Sequence, residues 1–474
     1  MTTTEKFLPP VPSRLFSRSR WALCHAALVV VAATWMFGGK IWWSKPILCI
    51  LVTPAPLLTL WELLSRRQRT NPDAMAPFLW LIPMALLAAI IAIASAVPNL
   101  IPRTFSGETL WYVRPMSSFW PSSADGAKSL RELWLLAGCY LTGFNLFICV
   151  RSRRALRVLL QVLAANAFVL AVFGTLQKLT SQDIFFGLQR APSAAFFSTF
   201  VYHNHWGAFT VLMASVCLGL VFFHAFHRES RNLLHSPAAL WVIATFFIAA
   251  TIPLSTSRSS TVLIALLLAV ALCHGVIALS GYRHRSERKA WPAVVLTLLL
   301  FGAGGLAIYK LGEHTIIDRL NTTRLQLADI GSDKIVTKRS VLYRDTLRMA
   351  ADKPWFGWGL ESYERIFPAY NSTPRSPVDN LPIFYQEAHS DWLQSLAETG
   401  IVGTTLLIVS VAWPLWMQRR HIRGHPVAVY LLAGCGLVTL YAAVEFPLAN
   451  PAVVASWWIV FFAGLRYAAL SEVR

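Results

Sequence analysis

The sequence predicts an all-α polytopic membrane protein with about twelve transmembrane helices and a large periplasmic loop between helices 9 and 10. Three observations predict this fold class. The 474 residues are 55% apolar and only 14% charged, whereas soluble domains are about 25% charged. Mean hydropathy is +0.52. Apolar runs also recur along the chain at the length of a bilayer-spanning helix, about 20 residues.

These apolar runs define the predicted helices in order. Each is about as long as a membrane span and has almost no charge in its interior, which favours spanning helices over helices buried in a soluble core. The runs are 21–38, 41–64, 77–98, 130–150, 158–178, 206–223, 238–256, 260–280, 291–309, 397–417, 427–446 and 451–468. The first follows a basic leader without a small-residue cleavage site, so we expect a retained signal anchor.

The placement of basic residues predicts the orientation. With the N-terminus inside, the leader and the short cytoplasmic segments hold 22 Lys and Arg, against 9 in the short segments outside. Because basic residues accumulate in short cytoplasmic loops, both termini are expected in the cytoplasm. The predicted organisation is helices 1 to 9 in residues 1–309, a largely helical periplasmic loop domain in 310–396, and helices 10 to 12 in 397–474.

The net charge of +19 follows from this topology. The loop 310–396 adds nothing to it, because its 11 basic residues are balanced by 11 acidic ones. The excess therefore lies mainly on the cytoplasmic face, where anionic lipid attracts it. Nucleic-acid binding needs a basic surface with interleaved aromatic residues, and these short clusters at helix ends do not provide one. We expect a membrane as partner and no nucleic acid.

Cysteines and short motifs argue against a cofactor. All seven cysteines lie in apolar runs and none forms a CxxC pair, so no disulfide framework or metal is expected. The chain also has no Asp-x-Asp, P-loop or HExxH motif. Because the spans have almost no ionisable residues at their centres, a transporter or proton pump is disfavoured. Polar residues collect instead in three segments predicted to lie outside.

The first polar segment, 182–207, joins the fifth and sixth spans and contains Arg190, His203 and His205. Arg190 is either a solvated or interfacial charge or a ligand for an anion, and its position alone leaves both readings open. Two histidines without a nearby carboxylate or thiolate make a poor metal site. We therefore interpret His203 and His205 as residues that start a helix and pack its loop.

The second polar segment is the short turn 255–260, which contains Ser257, Arg258 and Ser259. Few residues separate the two flanking spans, so Arg258 is expected at the membrane interface or slightly below it. Burying a guanidinium there is costly unless an anion pairs with it, and the planar fork of arginine suits a diphosphate. The alternative is a structural ion pair with an acid such as Glu445.

The third polar segment is the long loop 310–396. Its patterns predict a helix over 338–353 and another over 383–400 that leads into the tenth span. On the second of these helices, His389 is expected to head an aromatic and aliphatic face at the membrane surface. A histidine in this position is either a structural residue or a general base.

Taken together, the three segments resemble the O-antigen ligase and O-antigen polymerase superfamily of bacterial polytopic glycosyltransferases over roughly residues 155–465. Four motifs carry the resemblance, in the family's order. They are Arg190 with Phe197–Gly207, then Ser257-Arg258-Ser259, then Arg339 with Asp352-Lys-Pro-Trp-Phe-Gly-Trp-Gly359, and finally His389-Ser-Asp-Trp-Leu-Gln-Ser-Leu-Ala-Glu398-Thr-Gly400.

This resemblance implies a bacterial inner-membrane enzyme that transfers a glycan, with inversion and without a metal, from undecaprenyl diphosphate to an acceptor hydroxyl on the periplasmic face. The acceptor is a lipid or a glycan. Matched by motif, Arg190, Arg258 and Arg339 bind the donor diphosphate, and His389 takes the acceptor proton. Arginines suit this role because they offset the charge that grows on the leaving group. The supporting residues are Asn204, His205, Ser257, Ser259, Asp391 and Glu398.

Several functions remain open from the sequence. The motif pattern favours an O-antigen ligase, while an O-antigen or exopolysaccharide polymerase would use the same donor with a different acceptor. A flippase for lipid-linked glycans needs alternating access and usually a charged central cavity, whereas the charges here lie at one end of the spans. A non-catalytic membrane scaffold is the remaining alternative.

Overall fold

The protein is described here by a computed structural model that covers most of the chain. The described residues are 17–67, 75–105, 108–114, 117–180, 184–185, 189–190, 196–226, 236–283, 336–373 and 382–470. Most of them are helical, which confirms the all-α class. The exceptions are two short antiparallel pairs, which are β1 (Leu100–Phe105) with β2 (Glu108–Val113) and β3 (Ile184–Phe185) with β4 (Gln189–Arg190).

Fourteen α-helices are formed by the described residues. They are α1 (Arg18–Trp35), α2 (Ser44–Val52), α3 (Pro54–Arg67), α4 (Leu81–Ser95), α5 (Gly126–Cys149), α6 (Arg153–Leu179), α7 (His203–Phe226), α8 (Pro237–Leu254), α9 (Arg258–Arg283), α10 (Val336–Asp352), α11 (Tyr363–Ile366), α12 (Asp391–Ile422), α13 (Pro426–Tyr441) and α14 (Pro451–Ala469).

Nine helical segments in the described part of the chain are long and apolar enough to cross a membrane. They are Ser44–Arg66, Ala76–Ser95, Gly126–Cys149, Arg153–Leu179, His203–Ala225, Pro237–Leu254, Arg258–Ala278, Asp391–Ile422 and Pro451–Ala469. A polytopic, multi-pass membrane protein is therefore confirmed. The count of twelve stays a prediction, because the run 291–309 lies outside the described residues and the runs 21–38 and 427–446 form α1 and α13, which are not among these nine.

The core lies where α5, α7, α13 and α14 pack together. Gly143 of α5 faces the backbone of α14, and a Cβ atom at this glycine would lie 2.4 Å from the carbonyl oxygen of Trp458. Aromatic rings fill the same contact, with Tyr140 edge-on to Phe462 at a centroid distance of 5.4 Å. Since α7 and α14 are buried along most of their length, the site formed at their N-terminal ends rests on a closely packed frame.

Helix α12 begins at Asp391, so the predicted helix over 383–400 is wrong in its first part. Ser390 is its N-cap, and the Ser390 hydroxyl accepts a hydrogen bond from the amide of Leu393 at 3.3 Å. His389 has a φ of 53°, a left-handed conformation that a right-handed helix does not contain. His389 therefore lies just before the helix, and the conformation of the loop before α12 determines the direction of its side chain.

Within α12, the chain leaves helical geometry at Gly400, where φ is 67° and ψ is −172°. The segment 354–359 docks against this break and uses backbone groups that the helix leaves free. The backbone bonds run from Ile401 to Pro354 (2.7 Å), Val402 to Trp355 (3.1 Å), Trp358 to Ala397 (2.9 Å) and Gly359 to Glu398 (2.8 Å). Two motifs singled out in the sequence, 352–359 and 389–400, thus hold each other in place.

Both motifs need glycine at this contact. A Cβ atom on Gly357 would lie 2.3 Å from the carbonyl carbon of Glu398, and one on Gly400 would lie 2.4 Å from that of Trp355. Both glycines also have positive φ angles, which other residues adopt only at a cost. The two backbones can therefore approach this closely only when neither carries a side chain.

Candidate functional site

Glu445 lies at the centre of the candidate site, in the turn between α13 and α14. Its side chain is buried, with one oxygen (Oε2) 3.7 Å from Nδ1 of His389 and the other (Oε1) 2.5 Å from Nη2 of Arg339. The distance between Oε2 of Glu445 and Nδ1 of His389 is longer than a hydrogen bond. Neither of these two atoms has a hydrogen-bond partner among the described residues. One buried carboxylate thus stands within ion-pair range of an imidazole and a guanidinium.

The surroundings of Glu445 act on its pKa in opposite directions. Burial raises the pKa because it penalises the charged form, but His389 and Arg339 favour the carboxylate and outweigh burial. The pKa of Glu445 therefore lies below its ordinary value, and the side chain is ionised at neutral pH. For Arg339, burial lowers the pKa and Glu445 raises it, with a net increase, so the pair is a charged one.

Tyr343 of α10 fixes the backbone on both sides of this pair. Its hydroxyl lies within hydrogen-bond distance of the carbonyl oxygens of His389 (3.0 Å) and Val444 (3.2 Å). The imidazole of His389 is 28% exposed and meets the ring of Phe446 edge-on at 4.8 Å. Because Nδ1 is buried against Glu445, Nε2 is the ring nitrogen available to a substrate.

Phe446 connects His389 to the first polar segment. Its ring stacks on Tyr202 at 5.2 Å with an interplanar angle of 16°, and its carbonyl oxygen lies 3.2 Å from Nε2 of His205. Nδ1 of His205 lies 3.4 Å from the side-chain amide of Asn450. A proton on Nε2 of His205 satisfies both contacts, so His205 supports the turn between α13 and α14.

Asn204 links the start of α7 to the turn between α8 and α9. Its side-chain oxygen accepts a hydrogen bond from the hydroxyl of Ser257 (2.7 Å), and its amide nitrogen donates to the hydroxyl of Tyr202 (2.8 Å). Ser260 adds a hydroxyl 2.9 Å from that of Ser257. The start of α7 can lie this close to the start of α9 only because residue 207 is glycine, since a Cβ atom there would lie 2.2 Å from the Ser260 hydroxyl oxygen.

Arg258 is the first residue of α9 and its side chain is exposed. Arg258 is thus not buried within the protein, and its place at the membrane interface, from which the anion site was predicted, stays a prediction. The alternative partner, Glu445, pairs instead with Arg339 and His389. Arg258 remains a candidate through its position beside Ser257, on a helical turn that also contains the half-buried Ser259.

Two acids of α12, the half-buried Asp391 and the buried Glu398, hold neighbouring loops. Asp391 accepts a hydrogen bond from the backbone amide of Leu448 at 2.8 Å, and its own amide lies 2.9 Å from the carbonyl oxygen of Ala442. Glu398 accepts one from the amide of Tyr363 at 3.0 Å. Both carboxylates therefore fix the loops around the site through backbone contacts.

Arg190 ends strand β4, and the placement of its side chain lies outside the described residues. The structure does bring together most of the other predicted site residues. Continuous contacts lead from His389 through Phe446, Tyr202 and Asn204 to Ser257. Among the described residues, no group of three or more His, Cys, Asp and Glu could hold a metal ion.

Sequence reasoning missed three residues of this site. Glu445 entered it only as a possible partner of Arg258, Tyr202 only as a member of the motif 197–207, and Phe446 not at all. One available signal was the end of the run 427–446, where an acid and an aromatic residue precede Pro447. An ionisable residue at the end of a span, facing a protein interior, marks a candidate functional position.

Two comparisons with known proteins bear on this site. Residues 243–408 match the family model described as O-antigen ligase, a segment that contains Arg258, Arg339 and His389. The chain is also similar to the exopolysaccharide production protein ExoQ of Rhizobium meliloti (strain 1021), with 22% identity over 222 residues. That alignment covers 44% of this chain and 46% of ExoQ, about half the length of this relative. The resemblance to the O-antigen ligase and polymerase superfamily is thereby confirmed.

Proposed function

We propose, from its similarity to the O-antigen ligase and O-antigen polymerase superfamily, that the protein is a membrane glycosyltransferase that moves a glycan from undecaprenyl diphosphate to an acceptor hydroxyl. The observation that carries this proposal is the pairing of His389 with the buried, ionised Glu445 beside the exposed guanidinium of Arg339. This combination offers a base and a cation at the helix ends, where a donor anchored in the bilayer can reach them.

In the proposed reaction His389 is the general base. Nε2 takes the proton from the acceptor hydroxyl as its oxygen attacks the anomeric carbon of the donor sugar. The bond between that carbon and the diphosphate oxygen breaks, and undecaprenyl diphosphate leaves with the electron pair. Because the hydroxyl attacks from the side opposite the leaving group, the configuration at the anomeric carbon is inverted. Glu445 faces Nδ1 and stabilises the imidazolium that forms, so it acts as a positioning residue for His389.

The arginines have the complementary role at the leaving group. Arg190, Arg258 and Arg339 bind the donor diphosphate and offset its growing negative charge. Arg339 is 53% exposed and has five N–H donors, so its bond to Glu445 leaves donors for a phosphate oxygen. Because diphosphate is a good leaving group, this transfer requires no metal and no cofactor.

Hydrogen-bonding groups around the arginines have a supporting role in this proposal. Asn204 and Ser257 bond to each other and hold the start of α9, while Ser259 lies on the same turn as Arg258. His205, Asp391 and Glu398 act at a distance from the reacting atoms, because their contacts fix the surrounding loops.

The proposal places the protein in the bacterial inner membrane with both termini in the cytoplasm and the site on the periplasmic face. The excess of basic residues in the short segments predicted to be cytoplasmic, 22 against 9, supports this orientation. Fusion of a reporter that is active only in the periplasm to residue 373 tests the orientation. A reporter that is inactive there and active at the C-terminus contradicts it.

Ligase and polymerase differ in the acceptor. The family description supports an O-antigen ligase, whereas the similarity to an exopolysaccharide production protein supports a polymerase as the second candidate. Deletion of the gene followed by glycolipid analysis separates the two. Free polymer without attachment indicates a ligase, and single repeat units indicate a polymerase.

Alanine variants of His389, Arg258 and Arg190 test the proposal in cells. We expect each variant to insert into the membrane at the wild-type level and to abolish attachment or elongation of the glycan. His421→Ala, at the exposed end of α12, is the matched control and is expected to retain activity. If all three alanine variants still make full-length product, the proposal is wrong. Donor accumulating on the cytoplasmic leaflet in the deletion strain would favour a flippase.

A further inference from the structure

A separate cavity of about 240 Å³ lies between α4, α5, α12 and α14. Part of it lies at the same end of the helices as the candidate site, since Asp391 and Gln394 near the start of α12 and Pro451 at the start of α14 line it. Its volume is slightly below that of pockets for drug-sized ligands, about 300–1,000 Å³. The cavity therefore suits one sugar ring with a short segment of an attached chain.

One wall of this cavity is acidic. Its carboxylates are Glu132, Glu361, Glu387, Asp391 and Glu398. Three of these take part in ion pairs with lysines outside the lining, as Glu387 does with Lys40 at 2.9 Å. Asp391 and Glu398 accept hydrogen bonds from the backbone amides of Leu448 and Tyr363, and among the described residues no lysine, arginine or histidine lines the cavity. An anionic diphosphate is disfavoured here because the lining offers no cation to pair with it.

These polar groups instead suit hydroxyls. A carboxylate only accepts hydrogen bonds, and a sugar hydroxyl can donate to it. Gln394 and Ser395 of α12 line the same wall and can both donate and accept. A neutral, hydroxyl-rich group can therefore be bound where a phosphate cannot.

Most of the remaining lining is apolar and is called the apolar wall. Leu87, Leu135 and Leu407 line it together with the indole rings of Trp457 and Trp458. An aliphatic chain gains free energy from burial against such a wall, and flat aromatic rings offer a surface for the apolar face of a sugar. The cavity thus joins an acidic part to an apolar part, as an uncharged glycolipid requires.

The cavity and the candidate site share one stretch of chain. The segment 439–451 contributes Leu448 and Pro451 to the cavity and contributes Glu445 and Phe446 to the site. Asp391, two residues after His389, lines the cavity. A hydroxyl bound here lies next to the segment that carries the proposed base.

We propose that this cavity binds the acceptor, a glycolipid whose sugar hydroxyls contact the acidic wall and whose chain contacts the apolar wall. This inference rests on the proposed function, because only a transferase has an acceptor. It separates the two substrates, since the diphosphate of the donor is bound at the arginines and the hydroxyls of the acceptor are bound at the carboxyl, amide and hydroxyl groups of the cavity, whose lining contains no cation among the described residues.

Photo-cross-linking of the full-length protein in lipid nanodiscs tests the inference. The probe is an alkyl maltoside with a diazirine in its alkyl chain, mapped by mass spectrometry. We expect labelled peptides from α12 and α14 that line the cavity. Leu407→Phe places a larger side chain in the cavity. It is expected to reduce labelling about tenfold, because overpacking a buried site costs enough free energy to weaken binding by about that factor. The adjacent Leu406→Phe, outside the lining, is the control and is expected to retain labelling.

A second variant keeps the test decisive if Leu407→Phe fails to fold. Glu398→Gln replaces one carboxyl oxygen with an amide nitrogen but keeps an oxygen for the Tyr363 amide, and it is expected to raise the KM for the acceptor about tenfold, as expected for one lost hydrogen bond. The KM for the donor is expected to stay unchanged. Glu364→Gln, at an acid outside the lining, is the matched control.

Three results would overturn the inference. They are labelling outside the cavity, labelling that falls equally in both leucine variants, and labelling displaced by inorganic pyrophosphate, which would mean that the cavity binds the donor. Failure of the proposed function is recorded separately. Absence of transfer from a lipid-diphosphate donor, with cavity labelling intact, rejects the transferase and leaves a glycolipid-binding site.

Discussion

Nδ1 of His389 lies 3.7 Å from Oε2 of Glu445, and the other oxygen of that carboxylate binds Arg339. The carboxylate belongs to the turn after α13 and the imidazole to the loop before α12, so the pair joins two segments about fifty residues apart in sequence. It also joins the proposed base to one of the proposed diphosphate ligands. Several consequences can be measured.

Glu445→Gln is expected to lower the rate constant for transfer by at least about tenfold, because the imidazolium loses the charge that stabilises it. The KM for the donor is expected to change less than kcat. Steady-state kinetics of the variant in nanodiscs checks this expectation. Glu445→Asp keeps the charge and is expected to restore part of kcat, whereas equal activity of the Gln variant and the wild type would exclude a positioning role.

Arg258→Lys tests whether the arginine acts through its planar fork. Lysine keeps the charge but cannot donate two parallel hydrogen bonds to a phosphate. We expect the KM for the lipid-diphosphate donor to rise about tenfold, as expected for one lost charged hydrogen bond, with weaker inhibition by inorganic pyrophosphate. The control is Arg419→Lys, near the C-terminal end of α12. Its donor KM and its inhibition by pyrophosphate are expected to match those of the wild type. Unchanged pyrophosphate inhibition in Arg258→Lys would show that the anion binds elsewhere.

Gly400→Ala and Gly357→Ala are each expected to destabilise the fold by several kcal/mol. Each combines a positive φ with a Cβ atom less than 3.0 Å from the opposite backbone. Thermal unfolding in detergent measures the effect. Gly436→Ala in α13 is the control, because a Cβ atom there meets nothing within 4 Å, and alanine is expected to be neutral or slightly stabilising. Wild-type stability in both site variants would contradict the interlocked arrangement.

Glu361→Gln is expected to make stability depend less on pH. Burial raises the pKa of Glu361, but Lys45, Lys128 and Lys40 outweigh it, and the net pKa lies below the ordinary 4.5. A depressed carboxylate pKa stabilises the fold above the unfolded pKa, and that contribution is lost as pH falls through the folded pKa. The wild type should therefore unfold at a higher temperature than the variant at neutral pH, with the difference shrinking below about pH 4.5.

The comparison for this prediction is Glu364→Gln. Glu364 is more exposed and, among the described residues, its carboxylate pairs only with Lys128, so solvent screening reduces its contribution. A smaller effect on stability is expected. If the two variants lower the unfolding temperature equally at every pH, the three lysines do not act on Glu361 as described.

The sequence predicted the parts of the fold that depend on local pattern. The hydrophobic runs identified the helices because a bilayer span needs a minimum apolar length. The start of α12 was misplaced, because His389 takes a left-handed conformation that tertiary contacts impose and periodicity does not reveal. Glycine at 357 and 400 appeared only as part of a family motif, and its reason emerged from the contact between two distant segments.

The sequence predicted the arginines and the histidine of the candidate site. It did not predict that Glu445 lies between Arg339 and His389. His389 and Arg339 belong to recognisable motifs, whereas Glu445 lies in a turn whose partners are set by the packing of α13 and α14. Arg258 is exposed on the protein, which the sequence did not decide, because a short turn between two spans does not determine whether a side chain points inward or outward. Which ionisable groups form ion pairs with each other depends on tertiary structure.

Transfer by purified protein in nanodiscs tests the central claim most directly. With undecaprenyl-diphosphate-linked glycan, an acceptor glycolipid and EDTA present, mass spectrometry follows the release of undecaprenyl diphosphate and the gain of sugar mass on the acceptor. We predict stoichiometric release and transfer by the wild type and by His421→Ala, and neither product from His389→Ala. Transfer by His389→Ala at the wild-type rate would contradict the account.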